Sequence, residues 1–365
     1  MSRGLVDRVP HALAGRPGRK LVVLLGLAAM VATGCGGDEA AVADGGDGGD
    51  PTVVRFAFAP DAVMDYLVDS GRLAELEDVW NVELEMTEAF DEFAFFAGGH
   101  GDVVSTSSHE VALLEQETDI ATVTFGRYNH NHIQLLVRTD SDYETMEDLV
   151  GARIAVGSQG SMSPWGAFAK EQYDLDFTFE GGDFEIVLND HAANPELLVR
   201  GDVDACLCPT ELASAQHAAE DIRALYDATI SEIWREENGH YGIMQNVFTA
   251  TEEFYDSHPR EIAFFLALWQ DGIDAWHEDS ETIIRDYPHH FNVEGDAEVG
   301  WIVDYLQAHD WNVDSVFFDE DWVAGEQAFI QSLKDTGFLA ADLPQTRFEA
   351  WSAEDVQAQL EGTSG

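Results

Sequence analysis

From Val53 onward, short runs of alternating apolar and polar residues give way repeatedly to longer stretches at helical spacing. Val54, Phe56 and Phe58 alternate within Val53–Ala59, which predicts a strand, and Pro60-Asp61 opens a helix behind it. Further strands are predicted over Asn81–Met86, Asp102–Ser105, Asp119–Thr124, His132–Arg138, Arg153–Gly157, Phe184–Asn189 and Asp204–Cys208. Helix starts are marked by Ser108, by the cap-proline pairs Ser163-Pro164 and Asn194-Pro195, and by Thr210. Repeated strand–helix units predict an α/β protein with largely parallel sheets. After a strand at Gly242–Ala250 the pattern changes. Ile262, Phe265, Leu266, Trp269, Ile273 and Trp276 recur at helical spacing, and Trp301–His309 and Trp322–Lys334 read as two more amphipathic helices. The tryptophans there are expected in the core.

Length divides the molecule. Once a targeting segment is set aside, roughly 310 residues remain, which favours two lobes over one core. A hydrophobic fraction of 45% excludes wholesale disorder. The charge is unusual: 70 acidic against 18 basic residues give a formal net charge of -52. Such self-repulsion is tolerable where salt screens it, so a salt-adapted acidic surface is expected. Nucleic acid is excluded as a partner, because phosphate binding needs clustered Lys and Arg.

The first 34 residues read as a signal peptide. Arg16, Arg19 and Lys20 precede an apolar run from Leu21 to Ala32, and Ala32-Thr33-Gly34-Cys35 follows. That run is short of the about 20 residues that span a bilayer. Cys35 directly after small residues resembles a lipobox, whose Cys becomes lipidated; Ala32 departs from the usual Leu. The alternative is a plain signal peptide with an incidental Cys. Residues 35–52, rich in Gly, Asp and Ala, are expected to form a flexible acidic tether. Cys206 and Cys208 fall two apart on a predicted strand, where Cα atoms nearly 7 Å apart suit a disulfide poorly, so buried thiols are expected.

Three blocks carry a family resemblance. Leu135-Leu136-Val137-Arg138 with Met146-Glu147-Asp148-Leu149-Val150-Gly151-Ala152-Arg153-Ile154-Ala155-Val156-Gly157 is the first. Leu197-Leu198-Val199-Arg200-Gly201-Asp202-Val203-Asp204-Ala205 is the second, and Thr251 to Pro259 the third. In this order they resemble ABC-importer binding proteins for nitrate, sulfonates, taurine and thiamine precursors. The resemblance implies a type II periplasmic-binding-protein fold: two α/β lobes joined by crossovers near Thr139 and Tyr241, with C-terminal helices. Lobe 1 would comprise 53–139 and 244–351, lobe 2 140–243, and 352–365 a tail. Many relatives carry Trp-Glu-Pro after the second block; here Cys208-Pro209-Thr210 stands there, which puts an acidic contact in doubt.

In open α/β sheets, ligands lie beyond the carboxyl ends of strands, beside helix N-termini that suit anions. Thr106, Ser107, Ser158, Gly160, Ser161 and Thr210 sit at such ends, with Asn189 at the end of another strand. Phe58, Tyr128 and Trp165 are the aromatic candidates for covering an organic body. Helix capping explains single serines without any ligand. His130 and His132 lack a third and fourth ligand and read as a turn or surface pair, so no metal and no cofactor is expected. No nucleophile elbow or phosphate loop appears, so no enzyme is expected.

The implied function is capture of a small organic anion (a sulfonate, nitrate or taurine-like compound) for an ABC permease and ATPase. The protein would be a monomer held to the outer face of the cell membrane by lipid. A pyrimidine-type thiamine precursor is the alternative ligand. A biosynthetic enzyme or a receptor-linked sensor on the same fold are the alternative functions.

Overall fold

Two mixed sheets organise the chain. The computed structural model describes residues 50–89, 92–179 and 181–362. The expected signal peptide, Cys35 and nearly all of the expected tether lie outside these. Among the described residues no helix is long and apolar enough to cross a membrane.

The first sheet holds β1 (Thr52–Phe58), β2 (Val82–Glu88), β3 (Val103–Thr106) and β4 (Thr122–His130). The second holds β5 (Ile133–Arg138), β6 (Arg153–Val156), β7 (Glu185–Leu188), β8 (Ala205–Pro209) and β9 (Ile222–Ala224). The chain then returns to the first sheet with β10 (Met244–Thr251) and β11 (Arg347–Phe348). Strand order is β11-β4-β10-β3-β1-β2 in the first sheet and β7-β6-β8-β5-β9 in the second. β1 pairs in parallel with β2 and β3, and β6 with β7 and β8, as strand–helix units require. The sheets are nonetheless mixed. β5 runs antiparallel to β8 and β9, and β10 antiparallel to β3 and β4. Both are the first strands laid down after the chain changes sheet, so no helical return fixes their direction.

The first crossover is therefore Asn131-His132, not the neighbourhood of Thr139, because β4 continues to His130 and β5 already belongs to the second sheet. The second runs from the end of a helix at Asn238 to Met244 and includes Tyr241. The crossovers lie side by side: Asn131 N–H donates to the Ile243 carbonyl at 3.0 Å. The Ser231 hydroxyl donates to the same carbonyl at 2.7 Å. Ile243 has φ 59°, a left-handed conformation rare for a β-branched residue and tolerated where surrounding contacts over-determine it.

Local chemistry explains the helix starts. Asp61 caps Ala62–Asp69, accepting from Val63 and Met64. Ser107, rather than Ser108, caps Ser108–Thr118 in a capping box with Glu110. Ser158, rather than Ser163, caps Gln159–Tyr173, and Pro164 lies inside that helix. The expected tail is also structured: Ser352 caps Ala353–Leu360, whose Gln359 carbonyl accepts from Arg260 at 3.0 Å.

The core of the first lobe is aromatic. Phe56, Phe248, Phe265 and Trp269 pack between the first sheet and the long Pro259–Asp286 helix, with Phe56 and Phe265 centroids 4.7 Å apart. Glu320–Asp335 clamps the second crossover. Its buried Glu326 accepts the Met244 N–H at 3.2 Å, and burial pushes that carboxyl up to about 7. On β8, Cys206 and Cys208 form a disulfide, against the expectation of free thiols. Their Cα atoms are 5.6 Å apart, inside bridging range, because the strand is contracted here.

Candidate functional site

Loops at the carboxyl ends of four strands meet around a cavity of about 750 Å³. They are Phe58–Ala62 after β1, Ser105–Glu110 after β3, Gly157–Ser161 after β6 and Pro209–Leu212 after β8. The cavity thus draws on both sheets.

Six of the ten sequence-predicted contacts line it: Phe58, Thr106, Ser107, Ser158, Gly160 and Ser161. Four do not. Tyr128 is buried against Trp269, ring centroids 4.6 Å apart, with its hydroxyl 3.4 Å from Asp61. Trp165 belongs to the core, its indole N–H donating to the Ile133 carbonyl at 2.8 Å. Asn189 donates its side-chain amide to Asn194 at 3.1 Å. Thr210 is buried and donates to the His132 carbonyl at 2.6 Å.

The serines at the helix ends are already engaged. Thr106 and Ser107 hydroxyls donate to Glu110 at 2.7 and 2.6 Å. Ser161 donates to the Ser158 carbonyl at 2.9 Å, and its N–H bonds the Ser158 hydroxyl at 3.0 Å. Their first task is capping.

Glu110 reaches from one lobe to the other. Although burial opposes its charge, the His109 ring and the Ser107 and Thr106 hydrogen bonds hold its carboxyl below the usual range. Its Oε1 lies against Gly160, where a Cβ would approach within 2.1 Å. Beside it, His109 Nε2 donates to the Gly160 carbonyl at 2.8 Å. Pro164 explains that vacancy. In a helix the N–H of residue 164 would bond the carbonyl of residue 160, and proline has none. Burial lowers the His109 pKa, outweighing the charge of Glu110 and the Gly160 hydrogen bond.

A second pair lies across the floor. His132 Nε2 is 2.5 Å from Glu211 Oε2. Burial lowers the imidazole pKa, but the Glu211 charge and hydrogen bond outweigh it, so the net shift is upward. Glu211 is held low in turn, the charge and hydrogen bond of His132 outweighing burial. The histidines expected as a turn or surface pair are thus set inward. His132 is buried at the crossover, and His130 packs on Trp322 with centroids 5.2 Å apart. His191 lies over Gly157, which only glycine permits: a Cβ there would fall 2.0 Å from the ring.

Sequence reasoning missed most of the charge in this cavity. Asp61, Glu92, Glu110, Glu117, Asp190 and Glu211 line it, with His109, His132, His191, His289 and His290. No Lys or Arg stands among the described lining residues. Burial lifts Asp61 to about 6, despite its capping hydrogen bonds and the charge of His290. Phe93, Trp269, Phe291 and Trp311 add apolar wall. One signal was legible: Ser107-Ser108-His109-Glu110 is a capping-box motif that placed Glu110 at the cavity edge.

Residues 75–235 match the family model described as "ABC transporter, phosphonate, periplasmic substrate-binding protein". No curated protein matches the sequence. Among solved structures, the periplasmic aliphatic sulphonate binding protein SsuA from Escherichia coli is 18% identical, with TM-score 0.62, over 85% of this chain and 97% of that one. The alkanesulfonate-binding protein SsuA from Xanthomonas axonopodis pv. citri, bound to MOPS, is 15% identical, with TM-score 0.61, over 82% and 97%. A mutant of DSZB in complex with biphenyl-2-sulfinic acid is 17% identical, with TM-score 0.57, over 85% and 99%. The chain has the type II periplasmic-binding-protein fold, and within it residues 75–235 are similar to the periplasmic substrate-binding proteins of phosphonate ABC transporters.

Proposed function

We propose that this chain is the extracytoplasmic solute-binding subunit of an ABC importer and that its cavity takes a small organic zwitterion, a taurine-like amino anion. The observation that carries the ligand is the cavity's charge: six carboxylates and no Lys or Arg among the described lining residues. A bare nitrate or simple alkanesulfonate would meet net repulsion there, whereas an ammonium group gains charge-assisted hydrogen bonds. The anionic end has the positive end of the Gln159–Tyr173 helix and the imidazoles to face. The aromatic walls favour a second reading, an amino-substituted heteroaromatic such as a pyrimidine, stacked between Phe58, Phe93 and the tryptophans. No catalytic role is proposed.

Calorimetry with taurine, ethanesulfonate, an aminoalkylphosphonate and an aminopyrimidine tests the reading. Deleting the amino group should weaken binding roughly tenfold to a hundredfold, the worth of one hydrogen bond to a charged group. Ethanesulfonate binding as tightly as taurine would overturn the zwitterion; tight aminopyrimidine binding alone would favour the second reading.

Tethering through Cys35 is part of the proposal, supported by the run from Leu21 to Ala32 and the following Thr33-Gly34-Cys35. Intact-mass analysis of membrane-extracted protein should find a mature chain beginning at an acylated Cys35. A mature N-terminus elsewhere, without acyl mass, would remove the anchor. A salt-rich exterior fits the net charge of -52.

A further inference from the structure

One cluster at the rim of the cavity joins two of its imidazoles to a carboxylate outside the lining. Asp65 projects from the Ala62–Asp69 helix, and His289 and His290 sit together on a short turn at Pro288–Phe291. His290 Nε2 lies 2.8 Å from Asp65 Oδ2, and His289 Nε2 lies 3.9 Å from the same oxygen. One ligand atom from each of the three falls within 4.8 Å of the others. The two imidazoles, neighbours in sequence, have ring centroids 4.1 Å apart. We propose that Asp65, His289 and His290 form a binding site for a divalent late transition ion of the zinc class at the edge of the cavity.

The donor set selects the ion. Two imidazoles and one carboxylate suit zinc and its neighbours, whereas magnesium and calcium demand oxygen. The spacing suits it too. Ligands about 2 Å from a tetrahedral ion are about 3.3 Å apart, between the two distances to Asp65, so small side-chain rotations complete the set. Support from behind is present: His290 is nearly buried, and Asp61 lies one turn before Asp65. His289 is exposed. Both histidines line the cavity, so the remaining coordination position opens toward it. A bound ion would place a fixed positive charge in a cavity that otherwise carries carboxylates. The site stands on these three side chains alone and holds whichever solute the cavity takes.

An ion pair between Asp65 and His290 that merely joins helix to turn is the competing account, and the experiment separates them. The full chain is stripped with chelator and titrated with zinc and with cobalt in the presence of excess magnesium, which saturates weak acidic sites. The expected result is one zinc per chain and a cobalt absorption spectrum with nitrogen ligation. His289→Ala should weaken binding roughly tenfold or more, and Asp65→Asn similarly. The His289 ring is exposed, so His289→Ala should leave the metal-free protein's melting temperature unchanged. Zinc uptake that His289→Ala and Asp65→Asn leave untouched, or uptake abolished by magnesium, would overturn the site. Loss of stability on Asp65→Asn without saturable zinc binding by the parent would assign the cluster to packing.

Discussion

Replacing Gly325 with alanine should destabilise the protein by about 3 kcal/mol or more, at the top of the range for overpacking. The residue lies inside the Glu320–Asp335 helix, where alanine is ordinarily the better former by about 1 kcal/mol. Contact reverses the sign. A Cβ at this position would stand 1.5 Å from the Tyr241 carbonyl oxygen and 2.7 Å from its carbon. Those are backbone atoms, so no rotamer change relieves the clash; the helix must lift off the second crossover. The lift would also strain the Glu326 bond to Met244. Gly300, in the Asp296–Ala308 helix, supplies the opposite control. It is exposed, with nothing within 4 Å of an added Cβ, so Gly300→Ala should stabilise by about 0.4–1 kcal/mol. Urea unfolding of both variants at one salt concentration checks the pair. A Gly325→Ala protein as stable as the parent would show that the helix does not bear on the crossover.

The strand ends that frame the cavity were legible because alternation at Val54, Phe56 and Phe58, and runs such as Arg153–Val156, depend on local pattern. The extension of β4 to His130 was not. Arg127 and Asn129 interrupt its apolar run, and both are buried. Arg127 is accommodated because its guanidinium lies 4.0 Å over the Trp322 ring and donates to the Ser315 carbonyl, partners almost two hundred positions away. Those distant partners carry β4 through to the crossover at Asn131-His132.

Ser163-Pro164 shows a local signal that is sound in general and overruled by tertiary contact. Proline prefers the first turn, which pointed to Ser163 as the cap. Here the helix begins at Gln159, and His109 bonds the carbonyl that Pro164 leaves free. Composition hid the cavity's carboxylates. With 70 acidic residues in the chain, nothing in sequence sets Glu211 apart from the solvated majority. The rim cluster was invisible for another reason: Asp65 and His290 are 225 positions apart.

His132→Ala is expected to remove roughly 2–4 kcal/mol of stability at pH 8, because it strands Glu211 without its partner. The ceiling follows from proton uptake. A carboxyl of ordinary pKa 4.5 is neutralised at pH 8 for about 5 kcal/mol, so the stranded charge cannot demand more. Glu211 remains partly open to the cavity, its side chain 22% exposed, which lets water lower the demand. The loss should also depend on pH with a definite sign. In the parent, His132 is raised above 6.5, so its contribution is full below that value and fades as pH rises through the folded value. Glu211 is held below 4.5, so its contribution is full above that value and fades as pH falls. The pair therefore stabilises most between them. In His132→Ala the carboxyl is raised by burial instead, so the variant suffers most at pH 8 and recovers toward pH 5. Glu211→Gln should behave differently at pH 8, since an imidazole without its carboxylate simply sheds its proton. Trp311 Nε1 also lies 2.8 Å from His132 Nδ1, a contact that only His132→Ala removes. Urea unfolding of both single variants and the double variant, at pH 5 and pH 8, measures the coupling. Equal losses at both pH values, with no coupling, would make the ring a packing element and leave Glu211 free to meet an ammonium group in the cavity.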